Sequence, residues 1–455
     1  MFAKINFHDE FYQKLKLLVL PITMQQFMLA LVSATDAIML GAVSQTSLSA
    51  VSLAGQIQFV LNLFISGISA GSGIMAAQYW GKKDAASIEE VMPIALRTNL
   101  IFSGAFTVFA AVAPEVLMRI FTSDPALIES GAVYLRAVSL SYLLCGISQI
   151  YLILLKNTGY ATVSSRISCT AVVVNIICNA ILIYGLLGLP ALGIQGAAYA
   201  TVAARLVELV WSYLETKQSG RVQIIWKKMF RAADAVLTKD FWRYTMPVLG
   251  AALVWGIAYV SYSVIMGHMG SDAVAANSIT TIAKNMLSCL IRGVSGGAGV
   301  LIGNLLGAGE LDKAKVYGGR LTRMAIVVGM TTGGLLMLIS PLIVRFAPLS
   351  DTAAEYLQYM LIFCGCNIMA QSVNTTVLDG IFCAGGDSKF DMKGNLGAMW
   401  CFSVPFGFFA AFVLKWPVMV VYCIVNLDEI VKIPAVYLHY KKYIWVRNIT
   451  VQEEA

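Results

Sequence analysis

The sequence predicts an all-α integral membrane protein: twelve transmembrane helices in two six-helix bundles related by pseudo-two-fold symmetry. Three observations carry that prediction. Apolar runs of about 20 residues or more, enough to cross a bilayer at ~1.5 Å per residue, recur along the 455 residues. Apolar residues make up 58% and charged residues 13%, with a mean hydropathy of +0.75. The second half repeats the first at a constant offset. A soluble chain carries about 25% charged residues; this one has too few to cover a water-facing surface of its size. That excludes a soluble enzyme, a disordered protein and a nucleic-acid binder. The net charge of +7 is a question of placement, because membrane proteins collect basic residues on the cytoplasmic side.

The spans follow in order. A charged, amphipathic lead-in with Lys4, Asp9, Glu10, Lys14 and Lys16 precedes span one at 17–40 and is not expected to be a cleavable signal. Span two, 47–79, is rich in Gly and Ser, which let helices approach closely in lipid. Lys82 and Lys83 precede span three at 90–112. Spans four to six occupy 129–156, 164–187 and 195–216. A basic segment over 217–242 leads to spans seven to twelve at 243–267, 272–306, 317–345, 353–383, 393–414 and 417–440. Spans two, eight and ten exceed a straight crossing and are expected to tilt or bend.

Orientation follows from Lys and Arg. With the N-terminus inside, 25 of the 32 lie in cytoplasmic segments, seven of them between spans six and seven. Arg119, Arg136, Arg345 and Lys415 lie outside, and Arg205, Lys284 and Arg292 fall within spans. That asymmetry puts both termini in the cytoplasm.

Pro21 and Pro247 lie 226 positions apart, as do Gly41 and Gly267, Ala50 and Ala276, Gly81 and Gly307, and Gly159 and Gly385. The clearest stretch is Gly67-Ile-Ser-Ala-Gly71-Ser-Gly73 against Gly293-Val-Ser-Gly-Gly297-Ala-Gly299. The chain is therefore two six-helix halves in tandem: 1–216, a cytoplasmic linker over 217–242, and 243–455. Six is even, so both halves have the same orientation. Parallel repeats of this kind are a transporter architecture, with substrate held near the midplane and access alternating as the halves rock.

Function is sought where the repeat breaks. Asp36 in span one has Tyr262 as its mate. Asn175 and Asn179 share a face of span five, opposite Cys401 and Pro405, and Thr201 in span six meets Leu427. All four lie roughly 8–18 Å below the outer boundary. A carboxylate at such depth costs at least ~2.5–3.5 kcal/mol unless paired, hydrated or protonated. Asp36 is therefore a candidate proton acceptor, or a sodium ligand with the amide and hydroxyl oxygens completing the shell; the plain alternative is a hydrogen bond between helices.

Lys284, near the middle of span eight, has Gln58 as its mate and no acid clearly at its depth. It is a lysine snorkelling into a wet cavity or paired across helices, or a charge that contacts substrate or changes protonation during transport. Asp379 is expected nearer the cytoplasm, with Arg292 as partner. Asp428 with Lys432, and Arg205 with Glu208, have the spacing of helix-surface ion pairs. All nine cysteines fall in apolar stretches without a CxxC pair and read as packing residues. There is no GxxxxGK[ST] loop and no HExxH, and His8, His268 and His439 are scattered.

The residues resemble the multidrug and toxic compound extrusion (MATE) transporters. The stretches that carry the resemblance are Pro21 leading to Asp36-Ala-Ile-Met-Leu-Gly41, Gly71-Ser-Gly-Ile-Met-Ala-Ala-Gln78-Tyr-Trp-Gly81, and Gly185 through Gly196. Gly303-Asn304-Leu-Leu-Gly307-Ala-Gly and Ala384-Gly-Gly-Asp387-Ser-Lys add the second half. The resemblance covers nearly the whole chain. It implies two V-forming bundles and export driven by proton or sodium entry. Its amino-lobe cation site would be Asp36, Asn175, Asn179 and Thr201. Some relatives carry an aspartate where this chain has Asn179. A glutamate and an aspartate of another branch's sodium site correspond to Trp255 and Ser372 here, which argues against that second site.

The expected function is export of amphipathic cationic drugs in exchange for H+ or Na+ by alternating access. Phe27, Tyr151, Trp255, Tyr259 and Lys284 are candidate cavity residues. A lipid-linked oligosaccharide flippase of the same superfamily is the second reading, kept open by Lys284; a membrane-embedded enzyme is the third, and no catalytic cluster supports it. The expected setting is the cell (inner) membrane, as a monomer in the bilayer. No nucleic acid, cofactor or metal is expected beyond Na+ at Asp36.

Overall fold

The computed structural model describes residues 9–231, 234–347 and 349–451; Lys4 and His8 lie outside them. The described residues form helices, turns and loops with no strand. Among the described residues twelve main helical elements follow one another, with short helices at Pro114–Arg119, Leu186–Gly188 and Trp226–Met229 between them. In the first half they are α1 (Glu10–Val43), α2 (Gln45–Gly81), α3 (Ala85–Val112), α4 (Pro125–Asn157), α5 (Ala161–Tyr184) and α6 (Gly193–Thr216). In the second they are α7 (Ala235–Gly267), α8 (Ser271–Gly307), α9 (Leu311–Phe346), α10 (Asp351–Phe382), α11 (Ser388–Val413) and α12, which runs as Val418–Val425 and then Asp428–Tyr440.

Ten of these are long and apolar enough to cross a membrane by length and composition. The remaining two, α6 and α12, are equivalent elements of the two halves. Each carries charge in its middle: Arg205 and Glu208 in α6, and Asp428, Glu429 and Lys432 in α12. The helices outrun the apolar spans because their ends are capped by polar residues beyond the hydrophobic stretch. Ser44, Asp84, Asp124 and Ser350 each accept a hydrogen bond from a first-turn backbone N–H. Gly185 ends α5 at φ 70°, a left-handed cap that a side chain would resist.

Two elements are irregular. The end of α10, Thr376–Phe382, is π-helical, and α11 contains π-helical stretches at Leu396–Ser403 and Phe409–Val413. Such stretches are rare and concentrate at functional places.

The chain forms two compact units: Met24–Leu249, and Met1–Thr23 together with Gly250–Ala455. The boundaries fall inside α1 and α7, at positions 226 apart, so each of these helices is divided between the units at the same point of the repeat. Pro21 and Pro247 stand just before the divisions; proline removes a backbone hydrogen bond and loosens a helix locally.

Each unit has its own apolar core. Leu40, Ile57, Leu61, Ile65, Leu135 and Tyr142 centre the amino-terminal one. In the carboxy-terminal unit, Phe11, Leu15 and Val19 of α1 join Ile291, Val294, Leu357 and Trp445. The repeated glycines explain how the divided helices fit. A Cβ on Gly67 would lie 2.8 Å from Leu249 Cα, and one on Gly71 2.7 Å from Thr245 Cα. In the other unit a Cβ on Gly293 would strike Thr23, and one on Gly297 would lie 2.9 Å from Val19 Cγ2. The same glycines meet the same repeat positions in both halves.

The described residues of the basic segment expected as a linker over 217–242, namely 217–231 and 234–242, belong to the amino-terminal unit. The segment holds the short helix Trp226–Met229, and α7 begins at Ala235, ahead of its apolar span. Lys228 pairs with Glu90 at 2.7 Å.

Candidate cation site

The amino-terminal unit brings Asp36, Asn175, Asn179 and Thr201 together from α1, α5 and α6. Asn179 Nδ2 donates to Asp36 Oδ1 at 2.6 Å and to Asn175 Oδ1 at 3.1 Å. Asn175 Nδ2 donates to Thr201 Oγ1 at 3.4 Å, and Thr201 Oγ1 donates to the Ala197 carbonyl at 3.0 Å. The one-turn spacing of the two asparagines puts both amides on the same face of α5. Both are buried, at 5% and 1% exposure, while Asp36 is half-buried.

Among the described residues Asn179 alone donates to Asp36; the other donations run away from it, through Asn175 and Thr201 to the Ala197 carbonyl. Asn179 Oδ1 is buried without a hydrogen-bond partner. No Lys or Arg forms an ion pair with Asp36 among the described residues. Tyr134 of α4, which the sequence did not single out, lies within electrostatic range of the carboxylate. Tyr184 Oη donates to the Met39 carbonyl at 3.1 Å and ties the end of α5 to α1. A carboxylate with neutral oxygen donors suits a proton or a sodium ion.

The candidate cavity residues divide. Phe27 is 38% exposed. Trp255 and Tyr259, one turn apart on α7, stack with centroids 5.5 Å apart and remain partly accessible. Tyr151 does not fit the role. It is 1% exposed, accepts a hydrogen bond from Trp226 Nε1 at 2.7 Å and meets Tyr213 edge-on, so its ring is packing within its unit.

Three expectations about charges need correction. Lys284 is not remote from acids: its charge acts on Asp428 and Glu429 in its own unit, because α12 carries both towards α8. Asp428 and Lys432 are not a surface pair; they are buried, 3.5 Å apart. Arg205 and Glu208 lie 2.7 Å apart, but Glu208 is 1% exposed and also accepts from Ser148 at 3.0 Å and Ser168 at 3.3 Å. Spacing alone showed that each pair could meet, not that the rest of the bundle covers it. Arg292 reaches Asp379 electrostatically without forming an ion pair.

The MatE family profile matches the chain twice, over residues 21–181 and 247–409. The two matches start 226 positions apart, at the prolines of the repeat. The chain belongs to the MatE family. Among its relatives, an uncharacterized transporter, YisQ of Bacillus subtilis, is 23% identical over 91% of this chain and 90% of its own length. A probable multidrug resistance protein, NorM of Agrobacterium fabrum, is 23% identical over 76% of this chain and 73% of its own. A crystal structure of MATE in complex with MaD3S superposes with a TM-score of 0.84 at 17% identity, covering 95% of this chain and 96% of that one. The fold is thus the twelve-helix, two-bundle MATE fold, and this MatE chain is a multi-pass membrane transporter rather than an enzyme.

Proposed function

We propose that this MatE chain is a secondary antiporter that exports amphipathic cationic organic compounds in exchange for H+ or Na+. The observation that carries the reading is the hydrogen-bonded set of Asp36, Asn179, Asn175 and Thr201, a single carboxylate facing neutral groups with no basic partner among the described residues. Relatives called multidrug resistance proteins support the class of cargo.

In this reading the anionic Asp36 holds Asn179 through a charge-assisted bond, a contact worth roughly 1.5–3 kcal/mol. Arrival of a proton or sodium ion neutralises the carboxylate and weakens its claim on the amide. The contacts of α1 with α5 and α6 then rearrange, and the cargo site changes its access. The gradient is sufficient to drive this, since each charge moved across 100 mV supplies about 2.3 kcal/mol. Phe27, Trp255, Tyr259 and Lys284 are proposed to face the cargo. The proposed setting is the cell membrane, as a monomer with both termini cytoplasmic.

The experiment is uptake of a fluorescent cationic dye into everted vesicles or proteoliposomes. A proton gradient and a sodium gradient are imposed separately, with Asp36→Asn as control. Transport driven by one gradient and lost in the variant supports the reading and names the ion. Normal gradient-driven transport by Asp36→Asn sinks it.

A further inference from the structure

The carboxy-terminal unit holds a second polar network, unrelated in sequence position to the first. Lys432 of α12 is 5% exposed, and its Nζ lies 3.1 Å from Glu429 Oε1, 3.1 Å from Asn395 Oδ1 and 3.5 Å from Asp428 Oδ2. Asn395 Nδ2 donates to Asp391 Oδ1 at 3.0 Å, and Asn374 Nδ2 donates to Glu429 Oε2 at 2.8 Å. Four helical segments therefore converge: α10, its π-helical end, the start of α11, and α12. Asp379 on the π-helical end is accessible and lies within electrostatic range of Asp391, Glu429, Lys432 and Arg292. It makes no hydrogen bond or ion pair among the described residues.

Two independent observations make this a site. The first is charge. Asp391, Asp428 and Glu429 place three carboxylates in the interior of the unit, against one ammonium, which touches Glu429 and Asp428 directly and reaches Asp391 through Asn395. The other charged groups that face the network do not close the gap. Lys284 and Arg292 act on it from α8 without forming an ion pair, and Asp379 adds negative charge from the α10 side, while Asp387 is held by His439 at 2.6 Å and acts on Cys383. Tyr262 of α7 and Cys383 are further titratable neighbours, both neutral in their protonated forms, and His439 of α12 faces Asp387. An excess of carboxylate inside a membrane protein is unfavourable unless it is paired, hydrated or protonated.

The second observation is Asn374 Oδ1. The residue is 1% exposed, and this oxygen has no donor although its own amide nitrogen is bonded to Glu429. The unpartnered acceptor belongs to the side chain that holds the Glu429 carboxylate, where a hydrogen-bearing group would satisfy it. A buried acceptor left without a donor is otherwise costly.

Lys432 decides between a metal ion and a proton. Its ammonium already lies among the Asn395, Glu429 and Asp428 oxygens, where a sodium ion would coordinate. A second metal-sized cation there would meet like charge at short range. A proton on a carboxylate oxygen avoids that repulsion, and Glu429, the carboxylate bonded to Asn374, stands next to the acceptor that lacks a hydrogen. The repeat points the same way. The mates of Asp379, Asp391, Asp428, Glu429 and Lys432 are Ile153, Ser165, Val202, Ala203 and Leu206, so this half departs from the repeat with an ionisable set of its own.

We infer that the carboxy-terminal unit carries its own proton-binding site, built from Asp391, Asp428, Glu429 and Lys432, with Asp379 as its accessible edge. Its place in a transport cycle rests on the export reading; the site itself does not.

The test is infrared difference spectroscopy on the full-length protein in lipid, moved from mildly alkaline to mildly acidic buffer. Newly protonated carboxyl groups appear as a carbonyl band. The Asp36→Asn protein should keep part of that band. Adding Asp391→Asn and Asp428→Asn should remove most of the remainder, and Lys432→Gln should enlarge it. Thermal unfolding checks that each variant is folded; if the combined variant is not, Asp379→Asn at the accessible edge must diminish the band instead. Loss of the whole band in Asp36→Asn alone overturns the inference, as does a band unchanged by these cluster substitutions. Erasure of the band by sodium at constant pH in the Asp36→Asn protein also overturns it, by making the cluster a sodium site. Because no cargo or gradient is involved, failure here is separate from failure of the dye experiment.

Discussion

Asn179 holds Asp36 and Asn175 with the two hydrogens of one amide, at 2.6 Å and 3.1 Å. One side chain therefore stabilises the carboxylate and links it to Thr201. Replacing it by leucine keeps the volume and removes both donors. The loss should approach the roughly 1.5–3 kcal/mol of a hydrogen bond to a charged group, seen as a lower midpoint of thermal unfolding, together with export reduced to leak. Asn175→Ala removes only neutral bonds and should cost about 1 kcal/mol. Equal effects of the two substitutions would deny Asn179 its special place.

The glycine contacts give a stability prediction that is independent of transport. Gly71→Ala sets a methyl 2.7 Å from Thr245 Cα, and Gly297→Ala sets one 2.9 Å from Val19 Cγ2. Overpacking of this kind typically costs 1–3 kcal/mol, and the backbone contact at Thr245 should make the first the worse. Gly104→Ala, with nothing within 4 Å of the new carbon, should instead stabilise α3 by up to about 1 kcal/mol through helix propensity. Thermal unfolding of the three in one detergent checks the order; a harmless Gly71→Ala would contradict the close approach.

The same residues show what the sequence made legible. Composition and charge asymmetry gave the membrane class, and the 226-residue offset gave the repeat, because both are properties of the whole chain. The Asp36 set was legible because its members break that repeat. The Lys432 network breaks it too, but Asp379, Asp391 and Asn395 lie on two helices joined by a turn. Only the π-helical end of α10 and the start of α11 bring them to α12. Period and spacing report a helix's face, not what covers it. For the same reason Asp428 with Lys432 passed for a surface pair, and Tyr151 for a wall residue.

Arg205 and Glu208 form the covered pair of the first half. Their side chains are 21% and 2% exposed and 2.7 Å apart. Removing one partner of a buried pair strands the other charge and costs about 3–5 kcal/mol. Arg205→Met should therefore destabilise strongly, and Glu208→Leu likewise, while the double substitution should recover much of the loss. A double-mutant cycle by thermal unfolding tests this. Additive losses would show that the two charges do not depend on each other.

Lys284 is half-buried, carries no ion pair among the described residues, and acts on Asp428 and Glu429. If it also faces the cargo, it selects by charge. At an effective dielectric of about 20, a unit charge about 8 Å away feels roughly 2 kcal/mol of repulsion, equivalent to about 30-fold in affinity. A dication feels twice the penalty of a monocation, so Lys284→Gln should relax discrimination against dications by up to that factor. Export of matched mono- and dicationic dyes by the two proteins gives the ratio directly. An unchanged ratio with a lowered unfolding midpoint would mean that Lys284 acts only inward, as a counter-charge to the α12 carboxylates.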